Sequence, residues 1–147
     1  YRPVLTKVEW TVGPGEHWAV VGANGSGKST LLRFLYGDLP AALGARVERR
    51  GHPAGTPLEH WRRRVAFVSP ELQTEYLARV DLESLVVSGL RASVGLDEPP
   101  TRLERRLAQR ALSAVGLAER RGEPWQALSY GQRRLALIAR ALVGSPE

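Results

Sequence analysis

The residues with the clearest chemical potential lie between Gly22 and Thr30, in the stretch Gly-Ala-Asn-Gly-Ser-Gly-Lys-Ser-Thr. Its glycines allow backbone conformations that side chains forbid, so several N–H groups can point at one anion. The spacing fits the phosphate-binding pattern G-x-x-x-x-G-K-[ST], in which Lys28 contacts the outer phosphates and the Ser29 hydroxyl is a ligand of Mg²⁺. The sequence therefore predicts a polyphosphate site formed by Gly22, Asn24, Gly25, Ser26, Gly27, Lys28, Ser29 and Thr30.

The segments on either side of this loop favour the same interpretation. Residues 17–21 form a short apolar run typical of a buried strand, and residues 30–36 have the pattern of a helix. A helix that begins near Lys28 directs the positive end of its dipole to a bound phosphate. This order of strand, glycine-rich loop and helix distinguishes the motif from a glycine turn followed by a surface lysine.

A second candidate anion site lies at residues 128–132, with the sequence Leu-Ser-Tyr-Gly-Gln. Ser129 is a favourable N-cap for the helix that follows, and Gly131 permits a close backbone approach to a ligand. Taken alone, such a helix start is most often only a cap. The helix that follows has a strong apolar pattern, with Leu135, Ile138, Ala139 and Leu142 on one face.

Together these motifs resemble those of the ATP-binding cassette (ABC) ATPases, whose signature is a Leu-Ser-Gly-Gly-Gln-type sequence. Residues 128–132 match it at four of five positions, with Tyr130 in place of a glycine. The resemblance spans essentially the whole chain. Residues 15–22 and 68–73 look like a subgroup described as molybdenum-transport or photorepair-type ATP-binding proteins. The resemblance implies an α/β P-loop NTPase with a mixed or parallel sheet and an inserted α-helical subdomain, incomplete at its C-terminus.

The resemblance also implies a mechanism and its partners. In such ATPases two nucleotide-binding domains pack head to tail around two ATP molecules, as a homodimer or a heterodimer. Carried over to this chain, Ser129, Gly131 and Gln132 contact the γ-phosphate of ATP that is held by the opposite subunit. The implied cofactors are ATP and Mg²⁺. The other implied partner is a membrane permease subunit, which places the protein in the cytoplasm, peripheral to the inner face of the membrane.

Two further contacts follow from the resemblance. A glutamine after a buried strand reaches the Mg²⁺ ion and the attacking water in this family. Pro70 occupies its usual position, so Gln73 is the candidate, with a solvated loop glutamine as the alternative. An aromatic residue ahead of the phosphate loop stacks on adenine, and Tyr1 is the candidate by spacing. Trp10 and Trp18 are alternatives, although their strand-like surroundings favour core packing.

The carboxylates that phosphoryl transfer requires are missing from the sequence. The family supplies them from an apolar strand that ends in Asp-Glu, followed by a later histidine, whereas this chain stops at residue 147. The three histidines, His17, His52 and His60, come too early, and we expect them to face solvent or to pack. The sequence also has no methionine. We therefore expect a fragment truncated at both ends that binds ATP weakly and hydrolyses none, whereas its full-length parent is an ATPase.

Composition restricts the function classes. The length of 147 residues and an apolar content of 43% fit one domain. The chain has no cysteine, which excludes disulfides and thiolate metal sites, and no run of membrane-spanning length. The net charge of +6 is carried almost entirely by arginines that are spread along the chain, which argues against nucleic-acid binding.

Hydrophobic periodicity and capping residues predict the organisation of the chain. Strands are expected near 4–12, 17–22, 45–50 and 64–68, and a short helix at 58–62. Asp81 is expected to cap a helix over 82–88 that Gly89 helps to close, and Thr101 to cap one over 102–115 that ends at Gly116. The latter helix has an apolar stripe of Leu103, Leu107, Ala111 and Val115. One partial domain is predicted, with an αβ part (1–73), a helical subdomain (74–128) and the signature helix (129–147).

Four functions remain open from the sequence. The favoured one is the ATP-powering subunit of a membrane transporter. The others are a non-transport cassette ATPase of translation or DNA repair, an unrelated phosphate-loop kinase or GTPase, and a non-catalytic nucleotide-binding module. A kinase has no need of the helix start at Ser129, which weighs against the third.

Overall fold

The computed structural model describes residues 4–41, 44–53, 56–75 and 80–146, and it divides into two compact units, Tyr1–Arg50 and Gly51–Glu147. The predicted internal boundaries at residues 73 and 128 stay predictions. The described helices are α1 (Lys28–Tyr36), α2 (Leu58–Arg62), α3 (Leu72–Glu75), α4 (Leu82–Leu90), α5 (Arg102–Ala114) and α6 (Tyr130–Leu142). Short 3₁₀ turns lie at Ala118–Arg120 and Trp125–Ala127. No described helix is long and apolar enough to cross a membrane.

The segments that were expected to form strands are not paired into a sheet among the described residues. Residues 4–12, 17–22, 45–50 and 64–68 contain no assigned strand. A strand needs a neighbouring strand to satisfy its backbone N–H and C=O groups, and its apolar side chains need a covering layer. Here the apolar side chains of these segments are largely exposed, with Val8 at 53% and Val21 at 88%.

Two tryptophans of the first unit pack against each other instead of entering a core. Their rings meet edge to face, with centroids 5.5 Å apart and an angle of 83° between Trp10 and Trp18. The Trp18 indole N–H donates to the Glu16 carboxylate at 2.9 Å, and Gly13 N–H donates to the same carboxylate. The hydrogen bond from Gly13 and then that from Trp18 lower the pKa of Glu16. Because Trp18 is 57% exposed, the expectation that it packs in the core is wrong.

The second unit is built around α4, α5 and α6, which pack against one another. Local capping signals set where these helices begin. Asp81 accepts a hydrogen bond from Ser84 N–H at 2.8 Å, and Thr101 forms a reciprocal capping box with Glu104. The predicted caps at Asp81 and Thr101 are thereby confirmed. The core between the helices contains Leu82, Leu85, Val86, Val87, Ala108, Leu112, Trp125, Ala136 and Leu137.

The end of α5 is fixed by a left-handed glycine, as predicted. Gly116 has a φ of +74°. Its N–H bonds to Ser113 O at 3.1 Å, and the N–H of Leu117 bonds to Leu112 O at 2.9 Å. This pair of bonds is a Schellman motif, which satisfies the last carbonyls of the helix and buries the apolar residue that follows. Leu117 is only 4% exposed.

Helices α4 and α6 cross at Gly89, which has a different role from the one predicted. Gly89 does not close α4, because the helix continues through Leu90. A Cβ atom at Gly89 would lie 2.2 Å from the backbone oxygen of Arg140, so only glycine permits this approach. The buried Arg140 side chain adds bonds from α6 to Ser88 Oγ (3.3 Å) and Ser93 O (2.8 Å).

The buried faces of α6 and α5 differ from the predicted ones. In α6 the contact face consists of Ala136, Leu137, Ala139 and Arg140. Leu135, Ile138 and Leu142 are 40%, 41% and 50% exposed, so of the predicted face only Ala139 is buried. In α5, Leu103 is 64% exposed and therefore does not extend the buried stripe. The prediction favoured large apolar residues, whereas closely crossing helices use small ones at the contact.

The ion pair between Glu104 and Arg91 makes the helical unit sensitive to acid. Two parallel bonds of 2.9 and 3.0 Å join the Glu104 carboxylate to Arg91. These bonds, helped by the Thr101 N–H, lower the pKa of Glu104 from 4.5 to about 2. A depressed carboxylate pKa stabilises the fold above the unfolded pKa, and this stabilisation disappears as pH falls through the folded pKa.

We therefore expect the free energy of unfolding to fall by about 1–2 kcal/mol between pH 4.5 and pH 2 because of this pair, after allowance for solvent screening. Urea unfolding at several pH values measures it. Glu104→Gln is the comparison variant, because it keeps an oxygen for the capping box but has no charge. The fall in unfolding free energy that comes from Glu104 should be absent in Glu104→Gln. The same pH dependence in both proteins would contradict the assignment of this fall to the Glu104–Arg91 pair.

Candidate functional site

The first candidate site is the loop that leads into α1. Gly25 and Gly27 both have positive φ, +80° and +93°, which favours glycine at these positions. Ser26 N–H bonds to Ala23 O at 3.2 Å and closes a turn inside the loop. Helix α1 then starts at Lys28, with Gly27 as its N-cap. Among the described residues, no side chain forms a capping hydrogen bond at this helix start. The N–H groups of the first turn are therefore open to an external acceptor.

The Lys28 side chain folds back over the loop. Its ammonium donates to Gly22 O and Ala23 O, each at 2.8 Å. A lysine ammonium has three N–H donors, so one remains beyond these two bonds. The charge is thus held against the backbone at the beginning of the loop. A positive charge and the positive end of the α1 dipole therefore belong to the same short loop, and both favour a phosphate group.

Two glycines of the loop also have close neighbours. A Cβ atom at Gly22 would lie 2.9 Å from Ser26 Oγ, and one at Gly27 would lie 3.0 Å from Val4 Cγ1. The Ser26 hydroxyl can rotate away from the first, whereas Gly27 combines the close Val4 side chain with a positive φ. Of the two positions, Gly27 therefore favours glycine more strongly.

A magnesium ion can be held at this loop only if a bound nucleotide supplies some of its ligands. The described residues include no group of three or more His, Asp or Glu side chains that could hold a metal. Mg²⁺ keeps near-octahedral oxygen coordination and is commonly held by few protein groups together with substrate phosphates. The exposed hydroxyl of Ser29, in the first turn of α1, fits that donor set.

The second candidate site is the start of α6 in the second unit. Ser129 is the N-cap and forms a capping box with Gln132: Gln132 N–H donates to Ser129 Oγ (3.3 Å), and Ser129 N–H donates to Gln132 Oε1 (2.8 Å). The predicted cap is confirmed. The box leaves the Ser129 hydroxyl hydrogen and the Gln132 amide NH₂ as donors. Gly131 lies between them, with nothing within 4 Å of a Cβ atom built on it.

Positive charge surrounds this helix start. None of the described first-turn residues of α6 is acidic. The Arg133 guanidinium lies 5.6 Å from the centroid of the Trp125 ring, and that of Arg134 lies 6.0 Å from the Tyr130 ring. Cations near a helix N-terminus are unfavourable unless an anion is present. The start of α6 is therefore also suited to an anion.

The other predicted site residues lie in different places. Gln73 is half-buried in α3, a four-residue helix that contacts α6, and not in an open loop. Tyr1, the candidate for adenine stacking, lies outside the described residues. His17 and His60 are exposed, and His52 packs edge to face on Trp61 at 6.4 Å, in agreement with the prediction for the histidines. The roles of Gln73 and Tyr1 stay predictions.

Sequence reasoning missed the residue that holds α6 in place. Arg140 is 8% exposed and bonds to Ser88 and Ser93, so it fixes α6 against α4 and the turn that follows. The sequence did contain a hint of its burial, because Arg140 lies on the same face of the helix as Ala136 and Ala139. Arginine is seldom fully buried unless its donors have partners.

The glycine-rich loop with its lysine and the second helix start are the two motifs on which the resemblance to the cassette class of P-loop proteins rests. The family described as ABC transporter matches residues 5–147, and the chain belongs to this family. The expected α/β P-loop fold is confirmed by a solved ABC transporter of metal-chelate type in an inward-facing conformation. That structure matches with a TM-score of 0.58 and 26% identity, over 84% of this chain and 43% of the other.

Curated relatives agree with the family. The chain is 36% identical over 148 residues to the ABC transporter ATP-binding protein ModF of Escherichia coli (strain K12), which covers 99% of the chain and 30% of ModF. It is also 36% identical over 146 residues to the zinc import ATP-binding protein ZnuC of Paracoccus denitrificans, covering 99% of the chain and 48% of ZnuC. The chain thus spans less than half the length of both relatives.

Proposed function

We propose that this chain is the nucleotide-binding part of an ATPase that powers transport across a membrane. The observation that carries the proposal is the loop at Gly22–Lys28, where the ammonium of Lys28, the first residue of α1, is held by the backbone carbonyls of Gly22 and Ala23. Family membership adds the reaction class, the hydrolysis of ATP. The transported solute is left open, because the zinc named for ZnuC describes that relative.

In this proposal the loop binds the phosphates and the side chains that follow it orient them. Backbone N–H groups near Gly25 and Gly27 and the first turn of α1 surround the phosphates, and Lys28 moves its ammonium from the two loop carbonyls to phosphate oxygens. The Ser29 hydroxyl, together with Gln73, is proposed to hold Mg²⁺, which neutralises phosphate charge when bound. Asn24, Ser26 and Thr30 complete the loop, and Tyr1 is proposed to stack on the adenine.

The start of α6 is proposed to act on the nucleotide of a second subunit. Ser129 and Gln132 have donors left over from their capping box, and Gly131 allows the backbone to come close to a phosphate oxygen. Two copies then enclose two nucleotides, and nucleotide binding drives the closure of the dimer. The proposed second partner is a membrane permease subunit, which would hold the protein at the cytoplasmic face of the membrane.

Hydrolysis is proposed for a full-length protein that carries this chain. The catalytic carboxylate and the later histidine of the family have no counterpart in these 147 residues, so we expect the chain alone to bind ATP weakly and not to hydrolyse it.

The proposal is tested by nucleotide-dependent self-association of a full-length protein that carries the chain. Sedimentation velocity with a nonhydrolysable ATP analogue and Mg²⁺ should convert monomers into dimers, whereas ADP should not. Cross-linking between cysteines placed at Ser129 and at Ser26 should join two subunits only with the analogue. A protein that stays monomeric at saturating analogue would overturn the trans arrangement.

A further inference from the structure

The outward face of α5 carries a row of arginines that the proposed ATPase does not use. Helix α5 has four arginines and one glutamate, a formal net charge of +3, which is half of the +6 of the whole chain. Three of the arginines, Arg102, Arg106 and Arg110, follow one another at intervals of four residues and are all exposed. Residues four apart lie on the same face of a helix. We call these three residues the arginine row.

The other charged residues of this region are already paired. Glu104, on the opposite side of α5, is engaged by Arg91 and Thr101. Arg105 lies 3.6 Å from the Glu83 carboxylate. By contrast, no carboxylate of the described residues lies within ion-pair distance of Arg102, Arg106 or Arg110. The uncompensated charge on α5 is therefore confined to the arginine row.

The surface between these arginines presents hydrogen-bond donors. A shallow depression of about 430 Å³ is lined by Arg106, Gln109, Arg110 and Ser113. It contrasts with a second depression of about 360 Å³, which is also lined by Gln109 but includes Asp81 and Glu83 in its lining. None of the described residues that line the first depression carries a carboxylate, so an anionic group would meet hydrogen-bond donors from these side chains.

The arginine row works against the stability of its own helix. Like charges at i and i+4 repel each other, so Arg106 is repelled by the arginine on either side. Arg102 is also the first residue of α5, where a positive charge is unfavourable to the helix dipole. The capping box of Thr101 and Glu104 stabilises the start of α5, but no described carboxylate pairs with the arginine row, so an anionic partner would remove the repulsion that remains within it.

We propose that the arginine row is a docking surface for the anionic phospholipid headgroups of a membrane. Arginine guanidinium groups match phosphate oxygens in a two-pronged geometry and bind them more specifically than lysine does. Leu103, which is 64% exposed beside Arg106, offers an apolar side chain that can enter the headgroup layer. Helix α5 has no aromatic residue on which bases could stack, which favours lipid over single-stranded nucleic acid.

The test is a binding measurement with vesicles. The full chain is sedimented with vesicles that mix phosphatidylglycerol and phosphatidylcholine, and with vesicles of phosphatidylcholine alone. We expect binding only to the anionic vesicles, with an affinity that falls as salt is raised. Substituting all three residues of the row by glutamine should weaken this binding about 100-fold. The matched control substitutes three other exposed arginines, Arg46→Gln, Arg63→Gln and Arg120→Gln, with the same change of net charge.

The outcomes separate the proposal from its alternatives. Full binding by the control and loss in the row variant support the proposal. Equal losses in both variants would overturn it, because net charge alone would then explain the binding. Row-dependent binding of single-stranded RNA without binding of anionic vesicles would also overturn it.

A readout of folding accompanies the test. Because the row is unfavourable to its own helix, the row variant should melt at or above the temperature of the wild type. This result shows that lost vesicle binding does not come from unfolding. A large fall in melting temperature would overturn the inference that the row is kept for a partner.

Discussion

Replacing Lys28 by alanine should weaken the binding of ATP by about 10- to 100-fold, because a charge-assisted bond to phosphate contributes about 1.5–3 kcal/mol. The loss of affinity should affect only ligands that carry phosphates. Adenosine, which has none, should bind the variant and the wild type with equal affinity. Titration calorimetry with ATP, ADP and adenosine on a full-length protein that carries the chain measures all three affinities.

The chain offers a closely matched control for this experiment. Its only other lysine is Lys7, which is exposed and lies in the same unit. Lys7→Ala removes the same charge from the same part of the protein but leaves the loop intact. We expect Lys7→Ala to bind ATP as the wild type does. Equal losses in the two variants would show that general charge, and not the position of Lys28, governs ATP affinity.

The parts of the structure that the sequence predicted well are those fixed by local chemistry. Asp81, Thr101 and Ser129 each start a helix, because their side chains satisfy backbone N–H groups three residues ahead. Gly116 ends α5 because the chain needs a positive φ there. The turn and the lysine bonds of the glycine-rich loop are equally local, since Ser26 bonds to Ala23 and Lys28 bonds to Gly22 and Ala23.

The parts predicted poorly depend on what packs against them. Which face of α6 is buried is decided by the close approach at Gly89 and by the bonds of Arg140, and neither is visible in the periodicity of α6 alone. Burial of Trp18 was expected from its apolar neighbours, but burial needs a covering layer, and this residue is 57% exposed. Pairing of the predicted strands is likewise a long-range property.

Replacing Gly131 by alanine should leave the fold intact and prevent the proposed contact between subunits. A Cβ atom at this position meets nothing within 4 Å, so the unfolding free energy should not fall, and the gain in helix propensity can raise it by up to about 1 kcal/mol. In the proposed dimer the same Cβ atom would point at the γ-phosphate of the opposite subunit. We expect dimer formation with a nonhydrolysable ATP analogue to weaken about 100-fold, whereas ATP binding by the monomer stays unchanged.

Gly89→Ala is the contrasting control for Gly131→Ala. Its Cβ atom would meet the backbone of Arg140 at 2.2 Å, so α4 and α6 must move apart. Overpacking costs about 1–3 kcal/mol, and a 2.2 Å approach to a backbone atom belongs at the upper end of that range, above the gain of about 1 kcal/mol in helix propensity. Gly89→Ala should therefore lower stability without a direct effect on the anion site. If Gly131→Ala reduced stability as much as Gly89→Ala does, its glycine would have a structural role, and the argument for a phosphate at the start of α6 would lose its support.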